Sequence, residues 1–283
     1  MKNLMQLKDL INNLAKEKKI NSQVLLRNYM MQRLLYKIAK SRYNNNFILK
    51  GGMLVSSLVG IGERSTVDLD ATVKSIELNE DKLVEIFNEI FSSATADEIK
   101  FEINRIEEIR AEDQYKGFRI ALTALMENAR IPLKLDLTTG DQITPGEIRY
   151  NYKLLFEDQK IEISSYNIET LLAEKLETII SRSTTNTRMR DFYDVNILFL
   201  NYKKEIDFKI LKLALLETSK YRGSYKNIVN GEQILKDIFE SDFLLDHWRR
   251  YSRKYNYARN IDFEDLGEKL MNLWNLIKDI RMS

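Results

Sequence analysis

An alternating stretch at residues 67–73, V-D-L-D-A-T-V, most constrains how this chain can fold. Side chains two residues apart in a β-strand point to the same side, so Asp68 and Asp70 share one face and apolar residues take the other. Aspartate is a poor strand former, because its side chain competes for the backbone hydrogen bonds of the sheet. The pattern predicts a strand with one face on a core and one face carrying two carboxylates.

Other runs along the chain indicate the rest of the sheet. Strand patterns recur at 47–50, 99–106, 118–125 and 131–137, and a turn-rich segment follows at 138–147. Helical spacing of apolar residues marks 1–46 and about 79–91, and it dominates from about 165 to the end. We therefore expect an α/β fold, a mixed sheet flanked by helices with an all-helical C-terminal region.

This layout predicts two domains. The first, 1–165, contains the N-terminal helices and the sheet, and the second, 166–283, is helical. A chain of 283 residues, of which 44% are hydrophobic, is long enough to bury a substantial core.

Composition excludes several classes of site. The chain has no cysteine, so disulfides and thiolate metal sites are absent, and its one histidine, His247, nearly excludes histidine metal sites and a Ser-His-Asp triad. The net charge of +2 argues neither for nor against nucleic acid as a partner. An enzyme built on this chain would use carboxylates, lysine and arginine.

Nothing in the sequence indicates a membrane. The N-terminus is interrupted by polar residues, unlike a signal peptide, and no run reaches 18 apolar residues. We expect a cytoplasmic protein with no membrane partner.

A third carboxylate accompanies the pair. Asp136 lies in another predicted strand, L-K-L-D-L. Three carboxylates from neighbouring strands are able to hold Mg²⁺ (or Mn²⁺), with two ions about 4 Å apart as in-line phosphoryl transfer requires. The alternative is that Asp68 and Asp70 decorate a solvated strand face.

A glycine pair lies before the aspartates. Gly51 and Gly52 fall between a predicted strand and a predicted helix, where free backbone N–H groups and the helix dipole bind phosphate. Alone, such a pair is an ordinary turn. Followed by two aspartates on the next strand and one on a later strand, it indicates a nucleotide site.

Four blocks in this order resemble the AbiEii/AbiGii family. They are G-G-(x)₁₅-D-L-D, L-K-L-D-L-T-T-G-D-x-I-T-P, A-E-K-L-E-T-I-I-S-R and R-D-F-Y-D-V, and the resemblance runs from about Leu49 to Leu198. The family consists of nucleotidyltransferase-fold toxins of bacterial abortive-infection (phage defence) and toxin–antitoxin systems. The resemblance implies a nucleotidyltransferase-like sheet and transfer of a nucleotide from an NTP to an acceptor, which in related toxins is RNA, notably the tRNA 3′ end.

The resemblance also implies roles for individual residues. Asp68 and Asp70 match the metal-binding pair, Asp136 matches the third carboxylate, and Lys175 and Asp191 match a phosphate-contacting lysine and a second-half aspartate. We assign nucleotide binding to these residues: Gly51, Gly52, Ser65, Thr66, Lys175, Arg182 and Arg190. The helical domain is thus expected to complete the nucleotide site.

One position departs from the family. The family usually has Gly-Gly-Thr at the glycine turn, and here Met53 replaces the hydroxyl. Ser56 or Ser57, one turn later, is a candidate substitute for its hydrogen bond to the triphosphate.

Residues of the second half also have structural interpretations. Lys175 lies in a helix and fits a lysine that runs along an apolar face with its tip in water. The loop with Arg182, Arg188 and Arg190 suits triphosphate or an RNA backbone, but also resembles an ordinary loop between helices. Asp191 is expected to hold an arginine or lysine of the site, with Asp194 as a helix cap or supporting partner.

A basic, aromatic stretch at 248–259 is the candidate acceptor site. Phosphate contact and base stacking would fit RNA, and the basic residues are Arg249, Arg250, Arg253, Lys254 and Arg259. The alternative, which we favour slightly, is a helix whose aromatic side chains are core and whose charges are solvated. His247 beside it is interpreted as structural.

These observations predict a nucleotidyltransferase that moves an NMP onto a hydroxyl of an acceptor, with an antitoxin or repressor as a further partner. Two alternatives stay open. One is a catalytically silent module that binds nucleotide or RNA and acts through a partner, although a pure binder has no need of three carboxylates. The other is a metal-dependent nuclease, which has no evident use for the glycine pair.

Overall fold

The computed structural model describes residues 3–93, 99–109 and 117–281, which form eleven α-helices and one seven-stranded sheet. The chain divides into two compact units. A strand-rich unit comprises 1–140 and 148–165, and a helical unit comprises 141–147 and 166–283. The expected mixed sheet with flanking helices and a helical C-terminal region is confirmed.

The strand-rich unit contains four helices and all seven strands. The elements in chain order are α1 (Leu4–Lys18), α2 (Ser22–Lys40), β1 (Phe47–Lys50), α3 (Gly51–Val59), β2 (Leu69–Val73), α4 (Glu80–Ser92), β3 (Lys100–Ile109), β4 (Gly117–Met126), β5 (Ala129–Thr139), β6 (Ile148–Lys153) and β7 (Lys160–Ser165).

The helical unit contains the remaining seven helices. They are α5 (Ile168–Arg182), α6 (Met189–Tyr202), α7 (Phe208–Tyr221), α8 (Tyr225–Val229), α9 (Gly231–Phe239), α10 (Asp242–Lys254) and α11 (Phe263–Lys278). No described helix is long and apolar enough to cross a membrane.

The sheet has the strand order β3-β4-β5-β2-β1-β7-β6. The pairs β2–β5 and β1–β7 are parallel, and the other four neighbouring pairs are antiparallel. The strand that carries Asp70 and the strand that carries Asp136 are therefore direct neighbours, as the sequence predicts.

Alternation along β4 and β5 determines which side of the sheet is core. Leu133, Leu135 and Leu137 are buried, whereas Lys134 and Asp136 between them are half-buried. Helix α2 packs against β5 and β7, and α4 packs against β3. The polar residues of β5 consequently share the face opposite to their apolar neighbours.

Two sequence expectations about strands need correction. The strand predicted at 67–73 begins only at Leu69, so Asp68 lies in the segment just before it. Strands β6 and β7 were not predicted, because both are six residues long and each has only a short alternation, next to the turn-rich segment at 138–147. Both belong to the end of the sheet beyond β1.

Apolar stripes of α5, α6, α7 and α11 pack together in the helical unit. Leu172, Leu176 and Ile179 of α5 are fully buried, as their helical spacing predicts. Segment 141–147 is tied to the start of α5, since Asn167 Nδ2 and Thr170 Oγ1 donate to the Thr144 carbonyl at 2.8 and 3.0 Å.

Candidate active site

Three aspartates lie on one face of the sheet where β2 and β5 pair. Asp70 is directly opposite Asp136 in the parallel register, so both side chains point to the same side. Asp68, one residue before β2, reaches the same face, because its Oδ1 lies 3.1 Å from Lys134 Nζ. The three predicted carboxylates therefore share one face of the sheet, although Asp68 is not itself in a strand, and their joint role as metal ligands stays a prediction.

Cationic side chains of the same face contact these carboxylates. Arg119 on β4 binds Asp136 with two parallel hydrogen bonds, Nε to Oδ1 and Nη2 to Oδ2, both 2.9 Å. Lys134 Nζ lies 3.6 Å from Asp136 Oδ2 as well as 3.1 Å from Asp68. The hydrogen bonds to Asp136 raise the pKa of Arg119. Asp68 and Asp136 are thus neutralised by lysine and arginine.

The carboxylates suit a hard divalent cation in chemistry but not in arrangement. Oxygen ligands are what Mg²⁺ and Mn²⁺ prefer. Yet, over the part of the chain that the structure describes, no three acidic or histidine side chains are placed to hold a metal together. An ammonium group already lies between Asp68 and Asp136. As arranged here, the three aspartates do not form a three-ligand metal site.

The glycine turn lies directly against the aspartate strand. β1 ends at Lys50, and α3 begins at Gly51, whose φ is +66°. A Cβ on Gly51 would overlap the Asp70 carboxylate, and a Cβ on Gly52 would lie 3.0 Å from both Arg64 Nη2 and Thr66 Oγ1. Gly51 is therefore required both for close packing and for its backbone conformation, whereas a Cβ at Gly52 would need a small shift of two side chains.

The first turn of α3 has backbone N–H groups of the kind that bind an anion. Its N-cap residue, Lys50, makes no side-chain capping hydrogen bond. The first N–H groups of a helix have no partner within the helix, and the dipole favours negative charge there. Lys50 also lies directly opposite Asp70 in the antiparallel register of β1 and β2.

The hydroxyl missing at the glycine turn has no evident replacement. Met53 is fully buried and belongs to the core. Ser57 shares a hydrogen bond of 2.8 Å with the phenol of Tyr150 on β6, and Ser56 is buried. A substitute contact from either serine stays a prediction.

Ser65 and Thr66 connect the glycine turn to the aspartates. Thr66 is buried, and its hydroxyl lies 3.3 Å from both the N–H and the carbonyl of Asp68. Arg64, of which only 1% is exposed, donates to the Ser65 carbonyl. These contacts position Asp68, whereas direct nucleotide contact by Ser65 or Thr66 stays a prediction.

Lys175 is buried in an ion-pair cluster of the helical unit. Its Nζ lies 3.1 Å from Asp191 Oδ1 and 2.7 Å from Asp194 Oδ2, and Arg188 Nε lies 2.6 Å from Asp191 Oδ2. The structural interpretation of Lys175, with its tip in water, is therefore wrong. The expectation that Asp191 holds a lysine or arginine is confirmed, but the N-cap residue of α6 is Arg188, so Asp194 is a partner of Lys175 and not a cap.

The positive charges of this cluster determine the direction in which the pKa of Asp191 shifts. Burial raises the pKa of Asp191, but the positive charges of Lys175 and Arg188 outweigh burial and bring it to about 2. The carboxylate is thus ionised at every pH at which the protein would work. Glu174, beside Lys175 in the chain, pairs instead with Arg222 at 2.8 Å.

Arg182 and Arg190 are exposed beside this cluster. Neither makes an ion pair with any residue that the structure describes. Both belong to the helical unit, whereas the three aspartates and the glycine turn belong to the strand-rich unit.

Of the four aromatic side chains of the basic stretch, one is core and three are half-buried. Trp248 is buried and its indole N–H donates to the Ile261 carbonyl at 2.9 Å, and Tyr251 and Tyr257 pack on the buried Tyr193. Arg250 and Arg253 are exposed and have no ion-pair partner among the described residues. His247 contacts the exposed ring of Phe243. Base stacking by Trp248 is therefore disfavoured, whereas stacking by the half-buried tyrosines and phosphate contact by the arginines stay predictions.

A groove of about 730 Å³ lies beside one edge of α10. It is lined by Arg249 and Arg259, but also by four acids, Glu240, Asp262, Glu264 and Glu268. These acids disfavour an RNA backbone in the groove. Of the predicted acceptor residues, Arg250, Arg253 and Lys254 lie outside its lining.

Four residues of the site were missed by sequence reasoning: Lys50, Arg64, Arg119 and Lys134. Lys50 adjoins the glycines, and Lys134 lies two residues before Asp136. Their positions in the sequence could therefore have indicated that both belong to the site. Arg119 is on β4, and its contact with Asp136 depends on the register of the two strands. Arg64 lies in a loop, where an arginine is usually exposed, and its sequence context does not indicate that it is buried.

The sequence model of a family described as "Nucleotidyl transferase AbiEii toxin, Type IV TA system" matches residues 33–269. Comparison with curated protein sequences finds no match.

Solved structures resemble the chain over most of its length. JHP933 from Helicobacter pylori aligns with a TM-score of 0.51 at 19% identity, covering 91% of this chain and 92% of that chain. An antigenic nucleotidyltransferase-like protein from Paracoccidioides brasiliensis aligns with a TM-score of 0.43 at 16% identity, covering 71% and 90%. The first similarity indicates a shared fold.

Proposed function

Because the chain belongs to the AbiEii family of nucleotidyl transferase toxins of type IV toxin–antitoxin systems, we propose that it transfers an NMP from an NTP to RNA. The proposed acceptor is the 3′ end of tRNA. The observation that carries the proposal is the packing of Gly51 against Asp70, which places the glycine turn beside three aspartates of one sheet face.

The proposed reaction is an in-line displacement at the α-phosphorus of the NTP. The acceptor hydroxyl oxygen forms a bond to that phosphorus, and the bond to the bridging oxygen breaks, so pyrophosphate leaves with its electron pair. The hydroxyl proton passes to a base, and Asp136 is our candidate, because it is half-buried on the open face. The first turn of α3 would bind the triphosphate through its N–H groups.

We keep a divalent metal, Mg²⁺ or Mn²⁺, as part of the proposal. Such an ion would neutralise charge on the triphosphate. Asp68 and Asp70 are the candidate ligands, with Asp136 as the third. Lys134 and Arg119 hold two of these carboxylates in the present arrangement.

The helical unit is proposed to bind the phosphate-rich parts of both substrates. Arg182 and Arg190 are exposed cations, which suits triphosphate or RNA. Lys175 is engaged with two buried carboxylates, so we propose that it supports the site by positioning Asp191 and that direct phosphate contact requires its release. A cognate antitoxin is the further partner that the family implies.

Radiolabel transfer tests the proposal. Purified protein is incubated with total cellular RNA and each of the four α-³²P NTPs, with and without Mg²⁺, and labelled RNA is resolved by size. We expect one NTP to label a tRNA-sized band. The proposal fails if no NTP labels RNA under any metal condition while the protein is folded.

A matched pair of variants tests whether the transfer activity depends on the aspartates of the sheet face. Asp68→Ala should abolish transfer, and it should cost less than about 1 kcal/mol of stability, because Asp68 and Lys134 are both partly exposed. Glu102→Ala is the control, since it removes an exposed carboxylate of the same sheet whose ion-pair partner among the described residues is Arg130. Equal transfer by both variants would contradict the role of Asp68.

A further inference from the structure

Two segments of the helical unit, 178–190 and 247–261, contain basic residues and no aspartate or glutamate. Within them, Arg188 and Arg249 are paired with the acids Asp191 and Asp246 of neighbouring turns. The other arginines and lysines are exposed and have no ion-pair partner among the residues that the structure describes: Arg182, Arg190, Arg250, Arg253, Lys254 and Arg259. Since Arg259 lines the groove that also contains four acids, five cations are left to meet an anionic ligand.

The two segments are distant in the chain but contact each other in the helical unit. A short 3₁₀ helix at 183–185, directly after Arg182, contacts α10, and so does α6. Tyr193, one turn after Arg190 on α6, packs on Tyr251 of α10 with ring centroids 6.5 Å apart. Arg182 and Arg190 therefore lie beside the basic stretch of α10.

Helical geometry separates this surface from the acidic groove. A helix turns by about 100° per residue, so Arg250 and Lys254 share a face that adjoins Tyr251. Arg249 and Ser252 line the groove, and they lie roughly 150° round the helix from that face. The flank of α10 that meets α6 thus carries cations, and the acids of the groove belong to the other flank.

Tyrosine rings lie among these cations. Tyr255 and Tyr257 are half-buried and stacked, with centroids 5.3 Å apart and an interplanar angle of 22°. Lys254 Nζ lies 5.4 Å from the centroid of the Tyr255 ring. Tyr257 is held by Tyr193, with centroids 4.7 Å apart. Aromatic rings fixed beside cations are the combination that binds the unstacked bases and the phosphates of single-stranded nucleic acid.

We propose that α10 and the start of α6 form one surface for a single-stranded segment of RNA, where Arg182 and Arg190 bind phosphates together with Arg250 and Lys254, and Tyr255 stacks on a base. The inference rests on the proposed function, since it takes RNA as the acceptor. It assigns Arg182 and Arg190 to the acceptor and not to the triphosphate. Cations spread over two helices match a row of phosphates better than a single triphosphate.

The test uses the full chain and the variant Arg182→Gln with Arg190→Gln. Binding of a fluorescein-labelled single-stranded RNA of about 12 nucleotides is measured by fluorescence anisotropy, at several salt concentrations and without NTP. We expect affinity to fall by about tenfold and the slope of log affinity against log salt to decrease by about one to two units, because two phosphate contacts are lost. Affinity for each of the four NTPs, measured by calorimetry, should stay near wild type.

Lys204→Gln with Lys209→Gln is the matched control. Both lysines are exposed in the helical unit and have no side-chain partner in the described ranges of the chain. Lys204 lies fourteen residues after Arg190, just beyond the end of α6, which places it about 20 Å away, more than the screening length at physiological salt. The same loss of charge should therefore leave RNA affinity near wild type.

Two variants of Tyr255 test base stacking. Tyr255→Leu removes the ring and should weaken RNA binding by about tenfold without changing the salt slope, because no charge is lost. Tyr255→Phe keeps the ring and should retain wild-type affinity. A ring that serves only packing would lower the melting temperature of Tyr255→Leu and leave the RNA affinity of the folded protein unchanged.

Three results would overturn the inference: no RNA binding by wild type, an effect of the control pair equal to that of the arginine pair, or a loss of NTP affinity with RNA binding intact in the arginine variant. Displacement of the RNA by a DNA duplex of the same length, as effective as by unlabelled RNA, would contradict base stacking. Failure of the proposed function is distinct, since absence of radiolabel transfer would leave RNA binding and its dependence on these residues unchanged.

Discussion

At the scale of single residues, the requirement for glycine at position 51 has two separable causes. Its φ of +66° is costly for any residue with a Cβ, and that Cβ would also overlap the Asp70 carboxylate. Gly223 has nearly the same φ, +69°, with nothing within 4 Å of its Cβ position. Gly223→Ala should therefore cost only the backbone term, about 1–2 kcal/mol, whereas Gly51→Ala should cost more and should also abolish transfer by displacing Asp70.

Urea unfolding and radiolabel transfer of the two glycine variants check this prediction. Equal losses of stability, together with transfer retained in Gly51→Ala, would mean that the contact with Asp70 is unimportant.

Asp191 should make the free energy of unfolding depend on pH in the acidic range. Its pKa is lowered from 3.8 to about 2 in the folded protein, so its stabilising contribution is complete above about pH 4 and is lost as pH falls through 2. The contribution amounts to about 2 kcal/mol. Asp191→Asn should remove this part of the pH dependence, because Lys175 and Arg188 then face a group that does not titrate.

Urea midpoints measured between pH 2 and pH 7 test the Asp191 prediction. Asp246→Asn, on the exposed face of α10, is the control and should keep the wild-type pH dependence. An unchanged acid slope in Asp191→Asn would contradict the assignment.

At the scale of elements, residues of α10 serve packing on one side and are candidates for RNA contact on the other. Its Trp248 belongs to the core, and its exposed arginines are available to an RNA backbone. We expect Arg250→Glu with Arg253→Glu to weaken RNA binding, to reduce its salt dependence by about one to two units of slope, and to leave NTP affinity near wild type.

The control for α10 is Lys204→Glu with Lys209→Glu. It makes the same change in net charge at two exposed lysines without a side-chain partner in the described part of the chain. Titrations with tRNA and with NTP at two salt concentrations distinguish the pairs. Equal weakening of RNA binding by both would indicate a general charge effect instead of a site on α10.

At the scale of the whole molecule, membership of the toxin family predicts that expression slows bacterial growth. Asp68→Ala should relieve the inhibition without loss of folded protein. Lys175→Ala should relieve it for a different reason, because it leaves Asp191 and Asp194 buried without their lysine, at a cost of about 3–5 kcal/mol.

Growth curves at matched protein levels, with thermal melts of the purified variants, distinguish the two causes. We expect a near-wild-type melting temperature for Asp68→Ala and a lower one for Lys175→Ala. Inhibition by Asp68→Ala equal to that by wild type would mean that toxicity does not come from this site.

By itself, the sequence indicated the mixed sheet and the helical C-terminal region of this nucleotidyltransferase-like fold, although not β6 and β7, and it indicated candidate residues for the site. Alternation in β4 and β5 determined which of their residues face the core, and the spacing of glycines and aspartates indicated the site, because both patterns are local. Only the tertiary structure decided which charges meet. Arg119 binds Asp136 through strand register, and Lys175 meets Asp191 and Asp194 through the packing of α5 on α6. Such contacts join residues sixteen or more positions apart, and no local pattern specifies them.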